Sequence, residues 1–211
     1  MTEVIAIVGS SRKAGNTEIL TGILLEEIAQ RGFRTELILL ADKRIEVCSA
    51  CDSCHLTKRC RIEDDFQEIY PKLASALGMI LASPVYSFGP TPQILAFGTR
   101  ASRIAHATGD HREFGKSSEY VHTYPHPSAF ARKVGAALTV ARRAGGSSTL
   151  ALLNSFFLRN QMFLVGSTYI NVAFGYDKGE ALKDGEGVAN LRLLGENFVW
   201  LLEKLHKPHC F

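Results

Sequence analysis

Short apolar runs and longer amphipathic stretches alternate along most of the 211-residue chain. Val4–Val8 is continuously apolar, the pattern of a strand buried on both faces. Thr17–Arg31 then spaces its apolar positions at helical intervals and reads as an amphipathic helix. The same alternation predicts strands over Thr35–Leu40, Gly78–Ser83, Lys133–Val140 and Met162–Tyr169. Helices are predicted from Asp64-Asp65 to Ala76, from Pro92 to Ala105, over Ser147–Asn160 and over Val188–Lys207. Asp64 and Asp65 place acids at the positive end of their helix dipole, and Pro92 falls in a permitted first turn. Pro71 is expected to kink or break its helix, because it lacks the N–H a helix interior needs. Five strands alternating with helices predict a doubly wound α/β fold on a five-stranded parallel sheet. With no repeat, linker or low-complexity tract in view, residues 1–211 are expected to form one domain.

Only His106–Arg132 breaks the rhythm. It holds His106, His111, His122 and His126, together with Phe114, Tyr120, Tyr124 and Phe130. A long irregular insertion in a compact domain is a lid, a binding loop, a contact surface or a surface excursion. Its histidine spacings match no metal-ligand pattern.

Composition narrows the setting. A hydrophobic content of 46% is ample for a core, and a net charge of +3 without a basic run gives no case for nucleic acid. Met1–Gly9 has no basic region before its apolar stretch and reads as a strand rather than a signal peptide. No apolar run is long enough to span a membrane, so a cytoplasmic protein is expected.

Four of the five cysteines fall within thirteen residues, as Cys48-x2-Cys51-x2-Cys54-x5-Cys60. One short loop can converge four soft thiolates on a compact centre, which is the ligand set of a [4Fe–4S] cluster. Zinc is the nearest competitor, though tetrahedral sites usually pair two C-x2-C knuckles across a longer spacer. Redox-active thiols remain a third reading. Disulfide staples are not needed by a chain of this size. Lys43, Arg44, Lys58, Arg59 and Arg61 flank the loop and would either offset a negative cluster, attract an acidic donor such as ferredoxin, or simply be solvated.

Two other loops suggest an anion and a flat ring. The first strand runs into Gly9-Ser10-Ser11-Arg12-Lys13-Ala14-Gly15-Asn16-Thr17, and a helix follows. Backbone amides there, joined by Ser10, Ser11, Arg12, Asn16 and Thr17, would hold one phosphate, or merely cap an ordinary turn. Neither dinucleotide nor nucleoside-triphosphate fingerprint is present. The third strand exits through Ser83-Pro84-Val85-Tyr86-Ser87-Phe88-Gly89, whose aromatics either face a ring or pack the loop on the core. In a 2-1-3-4-5 sheet these exits meet at the switch point, joined by Ala141–Ser148. Phosphate at one end and a planar ring at the other describes FMN.

Gly9–Thr17, Ser83–Gln93 and Gly145–Thr149 together resemble the NADPH-dependent FMN reductase family of flavodoxin-like proteins. The cysteine loop with Ile62-Glu63-Asp64-Asp65-Phe66 resembles its iron–sulfur flavoprotein branch, over nearly the whole chain. That resemblance implies a flavodoxin-like sheet of order 2-1-3-4-5 and a phosphate site at Ser10, Arg12, Asn16 and Thr17. It implies an isoalloxazine edge at Pro84, Val85, Tyr86 and Phe88, with Gly145 and Gly146 letting backbone approach the ring. It also implies a homodimer or homotetramer in which electrons pass between a ferredoxin-like carrier and a small-molecule acceptor. Two rivals remain: a reductase taking hydride directly from NAD(P)H with no cluster, and a non-enzymatic redox sensor. His206, His209 and Cys210 make a cysteine–histidine tail expected to fray.

Overall fold

The computed structural model describes residues 2–109 and 127–206. In chain order, β1 is Val4–Val8, α1 Asn16–Gln30, β2 Thr35–Leu39, α2 Ser53–Thr57, α3 Phe66–Ser75 and β3 Gly78–Pro84. They are followed by α4 Pro92–Thr108, β4 Val134–Ala141, α5 Gly146–Arg159, β5 Phe163–Leu164, β6 Val172–Phe174 and α6 Gly185–His206. The strands pair in parallel in the order β2-β1-β3-β4-β5, with β6 also on β4.

The apolar strands sort their side chains by parity, as the pleat requires. Val4, Ala6 and Val8 of β1 and Ile80 and Ala82 of β3 pack with Leu20, Leu24 and Ile28 of α1 and with Leu194, Phe198 and Leu202 of α6. Ile5, Ile7, Met79 and Leu81 face the opposite side, against Phe66 and Leu73 of α3, Phe97 and Ile104 of α4 and Phe157 of α5. Each of the large side chains at 0% exposure contributes about 1.5–3 kcal/mol of burial. The two helical layers therefore fix β1, β3 and β4 as central strands, and their carboxyl ends open on one rim.

Four sequence expectations change. The fifth strand is not one run over Met162–Tyr169. β5 pairs with Val134 and Gly135 at the start of β4, and β6 with Thr139–Ala141 at its end. Between them the Asn171 side chain replaces the ladder: its Nδ2 donates to Ala137 O at 2.9 Å and its Oδ1 accepts from Ser167 Oγ at 2.6 Å. Pro71 lies within α3 without ending it, since Phe66, Ile69 and Leu73 anchor the helix on both sides of the ring. α4 continues to Thr108, so the irregular insertion starts later than expected. At its other end Phe130 is buried against Tyr70. His111, Phe114, Tyr120, His122, Tyr124, His126, His209 and Cys210 lie outside the described residues.

Candidate functional site

The rim is tied together before any ligand is considered. Thr91 Oγ1 donates to Gly9 O at 2.7 Å, and Thr91 N–H donates to Ser83 Oγ at 3.0 Å. Thus the start of α4 latches the exit of β1 to that of β3. Gly9 has no room for a side chain, because a Cβ there would lie 2.6 Å from Thr91 Oγ1.

After Gly9 the loop turns over Ser10, whose Oγ accepts Arg12 N–H at 3.1 Å. Ser10, Asn16 and Thr17 are buried, while Ser11 and Arg12 are exposed. α1 begins after Gly15 with no side-chain cap on its first amides, the setting in which an anion is welcome. Two expected phosphate donors hold a neighbouring segment in this arrangement. Asn16 Nδ2 donates to Asp177 O at 2.8 Å, and Arg12 Nη1 donates to Tyr176 O at 3.0 Å. Two guanidinium groups approach the Tyr176 ring, Arg142 at 4.7 Å and Arg12 at 5.5 Å from its centroid. Sequence reasoning missed Tyr176, because it reaches this rim from beyond β6. Gln93 was also passed over; its Nε2 donates to Ser11 Oγ at 3.4 Å, and its buried Oε1 has no acceptor role filled among the described residues.

The β3 exit forms a two-residue hairpin. Tyr86 and Gly89 exchange both backbone hydrogen bonds, at 2.8 and 2.9 Å. Ser87 and Phe88 both have positive φ, 48° and 65°, the geometry of a type I′ turn built without its usual glycine or asparagine. Strained non-glycine residues of this kind concentrate at functional sites. The turn presents Phe88 at 70% exposure, with Tyr86 half-exposed beside it. Gly145, at φ +87°, presses against this hairpin: a Cβ would meet Val85 Cγ1 at 2.8 Å and Phe88 Cα at 3.0 Å. A Cβ on Gly146 would meet Val172 at 2.7 Å. Both glycines are thus required by the protein's own packing, whatever lies over them. Ser148 Oγ donates to Phe88 O at 2.6 Å and locks the two loops together.

The cysteine segment leaves β2 through a turn at Leu40–Asp42. Its neck is closed by backbone contacts: Asp65 Oδ2 accepts Arg44 N–H at 2.6 Å and Asp64 Oδ2 accepts Glu46 N–H at 2.8 Å. Beyond the neck the chain folds along α4, where Asp52 pairs with Arg103. Ala50, Asp52 and Lys58 adopt left-handed backbone, which curls the segment on itself around α2. Cys48, Cys51, Cys54 and Cys60 all line one cavity of about 20 Å³, shared with Arg61, Arg100 and Arg103. Among the described residues, no three potential ligands stand as a closed metal-binding group. The thiols nevertheless sense one another. Burial, reinforced by the charges of Cys48, Cys60 and Cys51, raises the Cys54 pKa. Hydrogen bonds from Ser53 lower that of Cys51 to about 7. Four soft donors from one segment around one cavity fit a cluster or a thiolate-bound metal.

Three of the flanking bases that the sequence offered as compensation are occupied at the surface. Lys43 pairs with Asp65, Arg44 with Glu46, and Arg59 with Glu63. The cation that faces the sulfurs from inside is Arg100, which the sequence reading missed. It is 1% exposed and lies on α4, three residues from Phe97 and four from Ile104. A charge on the apolar stripe of a helix was the signal available. The cysteines sit level with Arg100–Ile104, about two to three helical turns along α4 from its start at Pro92.

The profile of the NADPH-dependent FMN reductase family matches residues 2–177. The chain is similar to an iron–sulfur flavoprotein of Methanocaldococcus jannaschii, 32% identical over 214 residues, with 97% of this chain and 100% of the relative covered. An iron–sulfur flavoprotein of Archaeoglobus fulgidus is 32% identical over 210 residues, covering 96% and 98%. Among solved structures, RosB with bound 8-demethyl-8-formylriboflavin-5'-phosphate superposes with a TM-score of 0.68 at 14% identity, covering 98% of this chain and 81% of that one. The flavoenzyme NAD(P)H:(acceptor) oxidoreductase of Paracoccus denitrificans gives 0.62 at 16% identity, covering 97% and 98%. At such identities these structures show the fold alone. No helix among the described residues is long and apolar enough to cross a membrane. Latched rim, uncapped α1 and family profile agree: the chain belongs to the NADPH-dependent FMN reductase family of flavin-dependent oxidoreductases, on the branch of its iron–sulfur flavoprotein relatives.

Proposed function

We propose that this protein passes electrons between a carrier such as ferredoxin and a small-molecule acceptor, using FMN at the rim and a [4Fe–4S] cluster in the cysteine loop. The observation that carries the reading is the single cavity lined by Cys48, Cys51, Cys54 and Cys60. When bound, the cluster supplies one-electron transfer and FMN one- or two-electron transfer. The chain's part is to hold and orient them. Ser10, Ser11, Arg12, Asn16, Thr17 and the first amides of α1 take the flavin phosphate. Pro84, Val85, Tyr86 and Phe88 flank the ring, with Gly145 and Gly146 keeping the opposite wall thin. Residues 1–211 act as one unit within a homodimer or homotetramer.

Anaerobically purified protein should contain iron, acid-labile sulfide and FMN, with no FAD released on heating. Serine at Cys48, Cys51, Cys54 or Cys60 should abolish or destabilise the iron centre, because a hard alkoxide replaces a soft thiolate. FMN should stay, since its phosphate contacts come from another loop. Stoichiometric zinc without iron would defeat the cluster assignment. That result would favour a reductase taking hydride directly from NAD(P)H, a reading the half-exposed Tyr86 and exposed Phe88 support by leaving a ring face reachable.

A further inference from the structure

Arg100 has an environment that fold stability alone does not call for. Replacing a buried ion pair with apolar side chains of similar volume is often neutral or stabilising. Yet Arg100 stands among Phe66, Phe97 and Ile104, its guanidinium 4.3 Å from the Phe66 ring centroid. Its partner Asp64 has a fully buried side chain. The pair is a two-pronged fork: Nη1 donates to Asp64 Oδ2 at 2.5 Å and Nη2 to Asp64 Oδ1 at 2.9 Å.

The remaining N–H groups of Arg100 turn to the cysteine loop. Nη1 donates to Glu46 O at 3.1 Å, before the first cysteine, and Nη2 to Ile62 O at 3.3 Å, after the last. Nη2 also reaches Cys60 Sγ at 3.4 Å. Nε–H is buried without an acceptor among the described residues, on a side chain that lines the cavity of the four cysteines. A guanidinium with one buried donor unfilled and another reaching Cys60 Sγ leaves capacity for added negative charge at the four-cysteine cavity.

We infer that Arg100 and Asp64 form a buried charge pair that sets the electrostatics of the four-cysteine site, Arg100 stabilising negative charge on its sulfurs and Asp64 limiting that effect. Both are positioning residues; neither is a ligand. The inference rests on the reading that these cysteines hold a metal centre. Surface pairs such as Arg59–Glu63 are screened by solvent and cannot substitute. A clasp that only held the loop shut would respond alike to loss of either partner. A charge pair responds with opposite signs. Removing the Asp64 charge leaves a bare cation near the sulfurs and favours the reduced, more negative centre. Removing the Arg100 charge leaves a bare carboxylate and disfavours it.

The test is a redox titration of the anaerobically prepared full-length protein as wild type, Asp64→Asn and Arg100→Gln. Asp64→Asn should favour the reduced centre about tenfold, a rise of about 59 mV for one electron, and Arg100→Gln should lower the potential by a similar amount. Arg100→Lys, which keeps the charge but not the fork, should fall between Arg100→Gln and wild type. A second readout uses cobalt(II) as the probe on apo-protein, followed by its thiolate charge-transfer absorption. Its affinity should rise about tenfold in Asp64→Asn and fall about tenfold in Arg100→Gln, parallel to the potentials. Shifts of the same sign in both variants, or no shift in Asp64→Asn, overturn the inference. If Arg100→Gln does not fold, Asp64→Asn decides alone. Wild type without iron and sulfide refutes the cluster, while the cobalt series still judges the pair.

Discussion

Replacing Phe88 with glycine should remove a whole aromatic side chain at almost no cost to the apo-protein. Phe88 is 70% exposed, so it retains less than a third of the roughly 1.5–3 kcal/mol that full burial of such a ring is worth. Its φ of 65° costs a bulky residue roughly 1–2 kcal/mol, which glycine does not incur. Glycine in turn gives back about 0.5–1 kcal/mol through greater freedom in the unfolded chain. These effects nearly cancel, and the change should stay within about 1 kcal/mol of zero, against about 3–5 kcal/mol for truncating a buried phenylalanine. Urea unfolding of flavin-free protein measures it; the matching change in Tm is about 2–4 °C per kcal/mol at this size. FMN binding should behave differently. By analogy with base stacking on aromatics, loss of a ring-side contact should cost roughly 1–3 kcal/mol, or about 5- to 150-fold in Kd, read by flavin fluorescence. A loss of more than about 2 kcal/mol in the apo-protein would show that Phe88 anchors the hairpin, and the strain reasoning would fall. Unchanged FMN affinity would remove Phe88 from the ring side.

Gly145→Ala should destabilise the protein by about 1–3 kcal/mol in urea, because a Cβ at φ +87° also meets the Val85 side chain and the Phe88 backbone. Asn171→Leu should cost about 1–3 kcal/mol, since it strips the buried Ala137 carbonyl of its side-chain donor where the sheet lacks a strand; a loss under 0.5 kcal/mol would refute that role. The Arg31 hydrogen bond, joined by Arg192, holds the Glu27 carboxyl below its ordinary range against the opposing effect of burial. A carboxylate depressed on folding stabilises fully above its unfolded pKa of about 4, and the contribution vanishes as pH falls through the lower folded value. Wild type should therefore lose stability below about pH 4 more steeply than Glu27→Gln, as followed by circular dichroism across pH; equal slopes would contradict it.

Much of the fold was legible because a central parallel strand has little freedom in sequence. Val4–Val8 and Gly78–Ser83 are apolar on both faces, and no other local structure uses such short runs so fully. The fifth strand misled for the same reason in reverse. Met162–Val165 and Thr168–Ile170 are apolar enough to read through, while the Asn171 side chain that interrupts the ladder acts across the sheet on Ala137. Pro71 was legible as a kink or a break, and α3 runs on through it, held on both sides by Phe66 and Leu73. The cysteine spacing singled out the four thiols that line one cavity. It could not reveal Arg100, whose partner lies 36 positions earlier in another element. Tyr176 is the same kind of omission, since Arg12 and Arg142 reach it through the fold rather than along the chain.

The neck of the cysteine loop is made of carboxylates meeting backbone amides, Asp65 with Arg44 and Asp64 with Glu46, and none of these contacts involves sulfur. The loop is therefore a detachable compartment with its own hem. Emptying the four-cysteine cavity would leave that seam untouched, so on the proposed reading its filling becomes a late step on a finished scaffold. For the same reason the stretch between Glu46 and Asp64 is a natural cassette: a transplanted ligand set of another length would inherit the hem without disturbing the sheet beneath.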